Sequence, residues 1–114
     1  MPIERGDVYW VNFDPSLGGE IQKTRPAIIL SNNVANRALN RVQVVPITSK
    51  TDRLYPAEAL INLRGEKRKA MADQLTTVSK QRLGNKLGTI TTNDLTRVEA
   101  AIAVQLALNL KQAP

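Results

Sequence analysis

Apolar residues recur at two intervals along this chain, close to every second position as far as Thr91 and every third or fourth position beyond it. From Arg5 to Phe13, Val8 and Trp10 alternate with Tyr9, Val11 and Phe13, a pattern that predicts a strand with both faces largely apolar. Ala27-Ile28-Ile29-Leu30 is a continuous apolar run, as a central strand covered on both faces requires, and Ser31-Asn32-Asn33 stops it. Val34 to Asn40 is short and polar and predicts a helical turn at most. Arg41 to Thr48 reads as a third strand on Val42, Val44 and Ile47. Pro46 removes a ladder donor there, which predicts an edge-like or bulged end that re-aims Thr48 and Ser49 toward a groove. Further strands are expected over Ala57 to Leu63, Ala70 to Val78 (carrying Asp73 and Gln74) and Asn85 to Thr91. Arg64 to Lys69 reads as a solvated basic hairpin tip, and Ser79 to Leu83 as a short turn. From Leu95 the period lengthens, with Leu95, Val98, Ala101, Ile102, Leu106 and Leu110 forming a helical stripe. Thr92 or Asn93 can cap that helix, Asp94 suits its first turn and Lys111 its last. The expected fold is mainly β, a small, strongly curved antiparallel sheet or barrel with one long amphipathic C-terminal helix across it, as one domain over 1–114.

One stretch breaks this regularity. Asp14 to Pro26 carries Pro15, Gly18 and Gly19 and joins two strands by a loop longer than a hairpin needs, and such loops are often functional. Arg25 closes it, next to Pro26 and the buried strand. A guanidinium presents a planar fork of donors matched to phosphate oxygens and stays charged at cellular pH. The second half of a phosphate-handling site is expected from Val44-Val45-Pro46-Ile47-Thr48-Ser49, a strand ending in hydroxyls.

Composition narrows the chemistry. Cys and His are both absent, which removes disulfides, thiolate nucleophiles, Ser-His-Asp triads and most zinc or iron sites. No metal and no cofactor is expected. The sixteen Lys and Arg against ten Asp and Glu leave a net charge of +6, which fits an anionic partner as well as a merely soluble surface. The opening Met1-Pro2-Ile3-Glu4-Arg5 lacks the apolar core of a secretion signal, and no membrane span is expected, so the cytoplasm is the expected compartment.

These residues suit cleavage of RNA by its own 2′-hydroxyl. That reaction needs a proton acceptor, a proton donor and donors for the charge that grows on phosphorus. Arg25 supplies bidentate donors and Thr48 a neutral one, though threonines at strand ends also commonly satisfy backbone groups. Glu20 is the one carboxylate inside the loop proper. It is a candidate base or, equally, an exposed carboxylate paired with Lys23 or Arg25; Arg25 itself is a poor base that could shuttle a proton in a shielded site. Gln74 can read a base edge or tie two strands together. Lys23, Ser49, Lys50, Arg53 and Tyr55 are candidates to track a single strand by charge, hydrogen bonding and stacking.

The run Arg5-Gly6-Asp7-Val8-Tyr9-Trp10-Val11-Asn12-Phe13-Asp14-Pro15 resembles the opening of MazF/PemK-type toxins, the mRNA interferases of type II toxin–antitoxin systems. The likeness continues through Gly18-Gly19-Glu20, Thr24-Arg25-Pro26, Val44-Val45-Pro46-Ile47-Thr48 and Ala72-Asp73-Gln74-Leu75-Thr76-Thr77-Val78. It implies an SH3-like barrel, a homodimer, and metal-independent, sequence-specific cleavage of single-stranded RNA to 2′,3′-cyclic phosphate and 5′-hydroxyl ends. It also implies a MazE-type antitoxin with an acidic C-terminal segment as partner. The family's catalytic Arg and Thr fall on Arg25 and Thr48, its loop Glu on Glu20 and its RNA-binding Gln on Gln74. Three loop positions depart from the family pattern, where Gly19 replaces a hydroxyl residue, Ile21 a Gln and Lys23 a Gly, and these should alter the loop's shape and its reach to RNA. The alternative on the same fold is a CcdB-like poison of DNA gyrase, but that group resembles a binder with a Trp near its end, whereas the only Trp here is Trp10. A basic barrel that binds RNA without cutting it is the third reading.

Overall fold

The structure, a computed structural model, describes residues 2–109. Strands β1 (Asp7–Asn12), β2 (Thr24–Ile29), β3 (Arg41–Thr48), β4 (Glu58–Leu63), β5 (Glu66–Met71), β6 (Thr76–Ser79) and β7 (Leu83–Thr89) form one curled antiparallel sheet. Helix α1 (Asn33–Ala38) follows β2, and α2 (Thr92–Gln105) follows β7. The sheet runs β4-β5-β3-β2-β1-β7, with β6 on the same flank of β3 as β5. The terminal strands β4 and β7 are not paired among the described residues, although Leu63 and Arg64 approach Gly88 closely enough to touch a side chain there. The outcome is the expected mainly-β architecture with a C-terminal helix, as a curled half-barrel.

Strand alternation gives the sheet two apolar faces. Val8, Ile28, Val45, Ile47, Ile61 and Ala70 form one cluster, and α2 covers it with Val98 and Ala101. Tyr9, Val11, Ala27, Ile29, Val42 and Val44 form the other, against which Ile21 of the β1–β2 loop packs. Burial and the nearby Asp7 carboxylate push the Tyr9 phenol above its ordinary value of 10.0, against a smaller opposing pull from Lys86. Trp10 departs from the expected fully covered strand and is 38% exposed, because it lies beyond the larger cluster, beside a shallow groove with Pro26, Leu63 and Leu87.

Several expectations are corrected. The basic run from Arg64 is not a solvated tip: only Arg64-Gly65 turns, and Glu66 onward is β5. The single strand expected over Ala70 to Val78 is broken by a 3-10 turn, Ala72–Gln74, which carries the chain from β5 to β6. Both strands lie along one flank of β3, β6 against its first half and β5 against its last two residues. β3 is therefore central rather than edge-like. Pro46 is tolerated because Leu30 N–H donates to the Gln43 carbonyl, so positions 43 and 45 face β2 while 44 and 46 face away. The missing donor of Pro46 thus points at the gap between β6 and β5, where no ladder bond is called for.

Helix α2 begins earlier than Leu95. Thr91, not Thr92 or Asn93, is the N-cap, its hydroxyl accepting from Asp94 N–H at 3.1 Å. Asp94 in turn accepts from Asn62 N–H at 2.9 Å, covering a donor of the outer strand β4. The helix ends at Gln105, and the expected Leu110 and Lys111 lie outside the described residues.

Candidate active site

The β1–β2 loop, residues 13–23, is held at its base and at its tip. At the base Phe13 N–H donates to the Lys23 carbonyl at 2.9 Å, Lys23 N–H donates to Asp14 Oδ1 at 2.9 Å, and Arg82 donates to the Asn12 and Asp14 carbonyls. At the tip Gln74 Oε1 accepts from Ile21 N–H at 3.2 Å while its Nε2 donates to the Gly19 carbonyl at 3.2 Å. The 3-10 turn after β5 is what places Gln74 there. Glu20 is exposed and pairs with neither Lys23 nor Arg25; its Oε1 accepts from Leu17 N–H at 2.6 Å, tightening the loop locally. Lys23 stands in the left-handed region with φ 67, a conformation that favours glycine.

Arg25 lies inside β2, one residue after the strand begins. β2 and β3 pair Ile29 with Val44, Ile28 with Val45 and Ala27 with Pro46, and each strand runs two residues beyond that last pair, to Arg25 and to Thr48. Opposed residues of an antiparallel pair send their side chains to one face. Arg25 continues the row of Ala27 and Ile29, and Thr48 that of Val42 and Val44, so both stand where the second apolar cluster ends. The Arg25 Nε donates to the Gln22 carbonyl at 3.0 Å, which aims the guanidinium from its stem and leaves both terminal nitrogens for an anion. Thr48 Oγ1 accepts from Lys50 N–H at 3.2 Å. That bond fixes the oxygen and leaves its own proton to donate. The backbone-satisfying role and the donor role are thus compatible.

The Ser49–Pro56 loop follows directly. Ser49, Lys50, Arg53 and Tyr55 are exposed, and Arg53 donates to the Tyr55 hydroxyl at 3.2 Å. A separate groove of about 370 Å³ opens beneath the β1–β2 loop, lined among others by Phe13, Glu20, Ile21, Asp73, Gln74 and Arg82. Arg25 and Thr48 do not line it, so the structure brings Glu20 and Gln74 together in this groove and leaves Arg25 and Thr48 outside it, on the same face of the sheet as each other. Arg82 and Lys69 are not among the sequence candidates. Arg82 sits in a short 3-10 turn, Lys80–Arg82, whose sequence carries no mark of a contact to Asn12 and Asp14 some seventy positions away. Lys69 is indistinguishable in sequence from its basic neighbours, although its pairing partner in β3 is Thr48.

The comparisons with known proteins agree with this fold. A family model described as PemK-like, MazF-like toxin of type II toxin–antitoxin system matches residues 4–106. The endoribonuclease MazF9 of Mycobacterium tuberculosis is 30% identical over 93% of this chain and 98% of its own length. The endoribonuclease toxin MazF of Escherichia coli is 32% identical over 89% of this chain and 91% of its own. A crystal structure of MazF from Deinococcus radiodurans superposes with a TM-score of 0.83 at 26% identity, covering 94% of this chain and 98% of that one. A mycobacterial endoribonuclease solved in complex with its cognate antitoxin gives 0.80 at 27% identity, covering 96% and 99%. With the family model spanning nearly its whole length and two curated relatives at 30% and 32% identity over most of it, this chain belongs to the PemK-like, MazF-like toxins of type II toxin–antitoxin systems.

Proposed function

We propose that this protein is an endoribonuclease toxin that cuts single-stranded RNA, sequence-specifically and without a metal, by attack of a ribose 2′-hydroxyl on its own 3′-phosphodiester. The observation that supports the reading is strand alternation, which turns Arg25 on β2 and Thr48 on the neighbouring β3 to the same face of the sheet. Arg25 grips the non-bridging oxygens with its two free terminal nitrogens, and Thr48 adds a third, neutral donor. Both interactions strengthen as charge moves onto the phosphorane, and this is where catalysis gains. A bond forms from the 2′-oxygen to phosphorus and the bond to the 5′-oxygen breaks. One proton leaves the 2′-oxygen and one is taken up by the departing 5′-oxygen, giving a 2′,3′-cyclic phosphate and a 5′-hydroxyl. Glu20 is the proposed proton acceptor: its Oε1 is engaged by Leu17 N–H in the neighbouring groove, and the β1–β2 loop has to carry its second oxygen toward Arg25 and Thr48 when RNA binds.

In this reading Lys23, Ser49, Lys50, Arg53 and Tyr55, all exposed, supply charge, hydrogen bonds and aromatic surface for a nucleotide strand, and Gln74 offers its amide from the neighbouring groove. The proposed setting is the cytoplasm; no helix among the described residues is long and apolar enough to cross a membrane. An antitoxin with an acidic segment is the proposed partner, and the net charge of +6 supports that choice. The gyrase-poison alternative has no comparable support, since the relatives matched over most of the chain are named endoribonucleases.

The test is to map cleavage ends on a long mixed-sequence RNA in excess EDTA. Cuts with cyclic-phosphate and 5′-hydroxyl ends are expected. Arg25→Ala and Thr48→Ala should each lower the rate by about 100-fold or more while circular dichroism stays unchanged. Full activity in either folded variant would overturn the assignment.

A further inference from the structure

Lys69 occupies the same row of the sheet as the two residues above. In β5 it pairs with Thr48 on one side and with Leu60 of β4 on the other, so its side chain shares the face of Arg25 and Thr48. Unlike its basic neighbours it is buried, at 7% exposure. A buried ammonium persists only when it is paired and hydrogen-bonded. Here all the compensation comes from the Ser49–Pro56 loop and the start of β4. The Lys69 Nζ lies 3.1 Å from Glu58 Oε1, donates to the Arg53 carbonyl at 2.9 Å, and sits 5.8 Å from the centre of the Tyr55 ring. Glu58 Oε1 also accepts from Tyr55 N–H at 2.8 Å, and Glu58 N–H donates back to the Tyr55 carbonyl at 3.0 Å.

This arrangement fixes backbone and leaves working groups free. The carbonyl of Arg53 and the peptide of Tyr55 are tied down, while the Arg53 guanidinium and half of the Tyr55 ring remain in solvent. Were stability the only purpose, an apolar pair of similar volume would serve as well or better. A buried pair aimed at a loop rather than into either apolar cluster indicates that the loop is what is being positioned.

We propose that Lys69, with Glu58, is a positioning residue for the RNA strand. It holds the Ser49–Pro56 loop at a set distance from Arg25 and Thr48, so that Tyr55 stacks on, and Arg53 neutralises, the nucleotide beside the scissile bond. This rests on the nuclease reading above. Pre-ordering the loop spares the entropy of fixing it when RNA arrives, so the benefit falls on binding rather than on the chemical step.

The experiment compares the parent chain with Lys69→Met, the paired variant Lys69→Met/Glu58→Gln, and Lys69→Arg. The paired variant removes both charges, so no carboxylate is stranded, and the amide oxygen introduced in place of the carboxylate can still accept from Tyr55 N–H. It should melt as a folded protein, be nicked by trypsin after Arg53 roughly tenfold faster, and show a KM for a short cleavable RNA raised roughly tenfold, the share of one stacked base. Its kcat should stay within about twofold, and Lys69→Arg should restore KM. A paired variant with the parent's KM and the parent's nicking rate overturns the anchor, as does one that cannot fold, since Lys69 would then be core structure only. A parent chain inert toward RNA overturns the nuclease reading before any variant is compared; an active parent with an unaffected paired variant overturns the anchor alone.

Discussion

Gln74 is the residue whose role changed most between sequence and structure. As a side chain with one donor and one acceptor it suits a base edge, yet both functions are taken by the backbone at Gly19 and Ile21. Its first task in the free protein is to latch the loop, and any RNA contact through this amide competes with that latch. Gln74→Ala should therefore raise the amide exchange rate of Ile21 about tenfold, the loss of one net hydrogen bond, with little change in the exchange of core amides in β3. Unchanged protection at Ile21 would show the loop to be held from its base alone. Lys23 makes a related point. Its positive φ is where a glycine costs nothing and a lysine costs about 1 kcal/mol, so the substitution trades backbone ease for a cation at the mouth of the loop.

At the scale of elements, the break between β5 and β6 matters more than either strand. A continuous strand from Ala70 to Val78 would have carried Gln74 past the loop; the 3-10 turn at Ala72–Gln74 stops it beneath the loop and lets two short strands share one flank of β3. Helix α2 is the counterweight, covering the face opposite the site with Val98 and Ala101 and tying down β4 through Asp94. Its cap is a clean test of that arrangement. Thr91→Ala should cost about 1 kcal/mol and lower Tm by about 4 °C, without changing the cleavage pattern, because Thr91 caps the end of the helix opposite to the one that lies beside Tyr55 and Pro56. A changed cleavage pattern would mean that the two faces are coupled through β4 and β3.

For the whole molecule, exposed apolar surface is what supports the proposal of a homodimer, against the repulsion of two copies that each carry a net charge of +6. Val104, Leu106 and Leu108 are each more than half exposed where α2 ends, and Tyr55 and Pro56 lie beside Val104. A homodimer built on this end would cover them and bring the two Ser49–Pro56 loops near each other. Sedimentation equilibrium should give the mass of two chains of 12.6 kDa, and Leu106→Asp should return the mass of one. A single-chain mass for the parent at micromolar concentration would refute this.

The alternation of Val42, Val44 and Ile47, the apolar run from Ala27 and the stripe through Val98 and Ala101 are local patterns, so β2, β3 and α2 were legible within one or a few residues. Arg25 and Thr48 could be singled out for the same reason, since each stands next to a strand end and carries chemistry a phosphate can use. What no local pattern holds is which residues meet. The pairing of Thr48 with Lys69, the latch of Gln74 on Gly19 and Ile21, and the reach of Arg82 to Asn12 and Asp14 are all long-range pairings. They depend on how a curled sheet sums its twists and on where its strands stop, and one lysine among several became buried only where the Ser49–Pro56 loop and Glu58 fold against it.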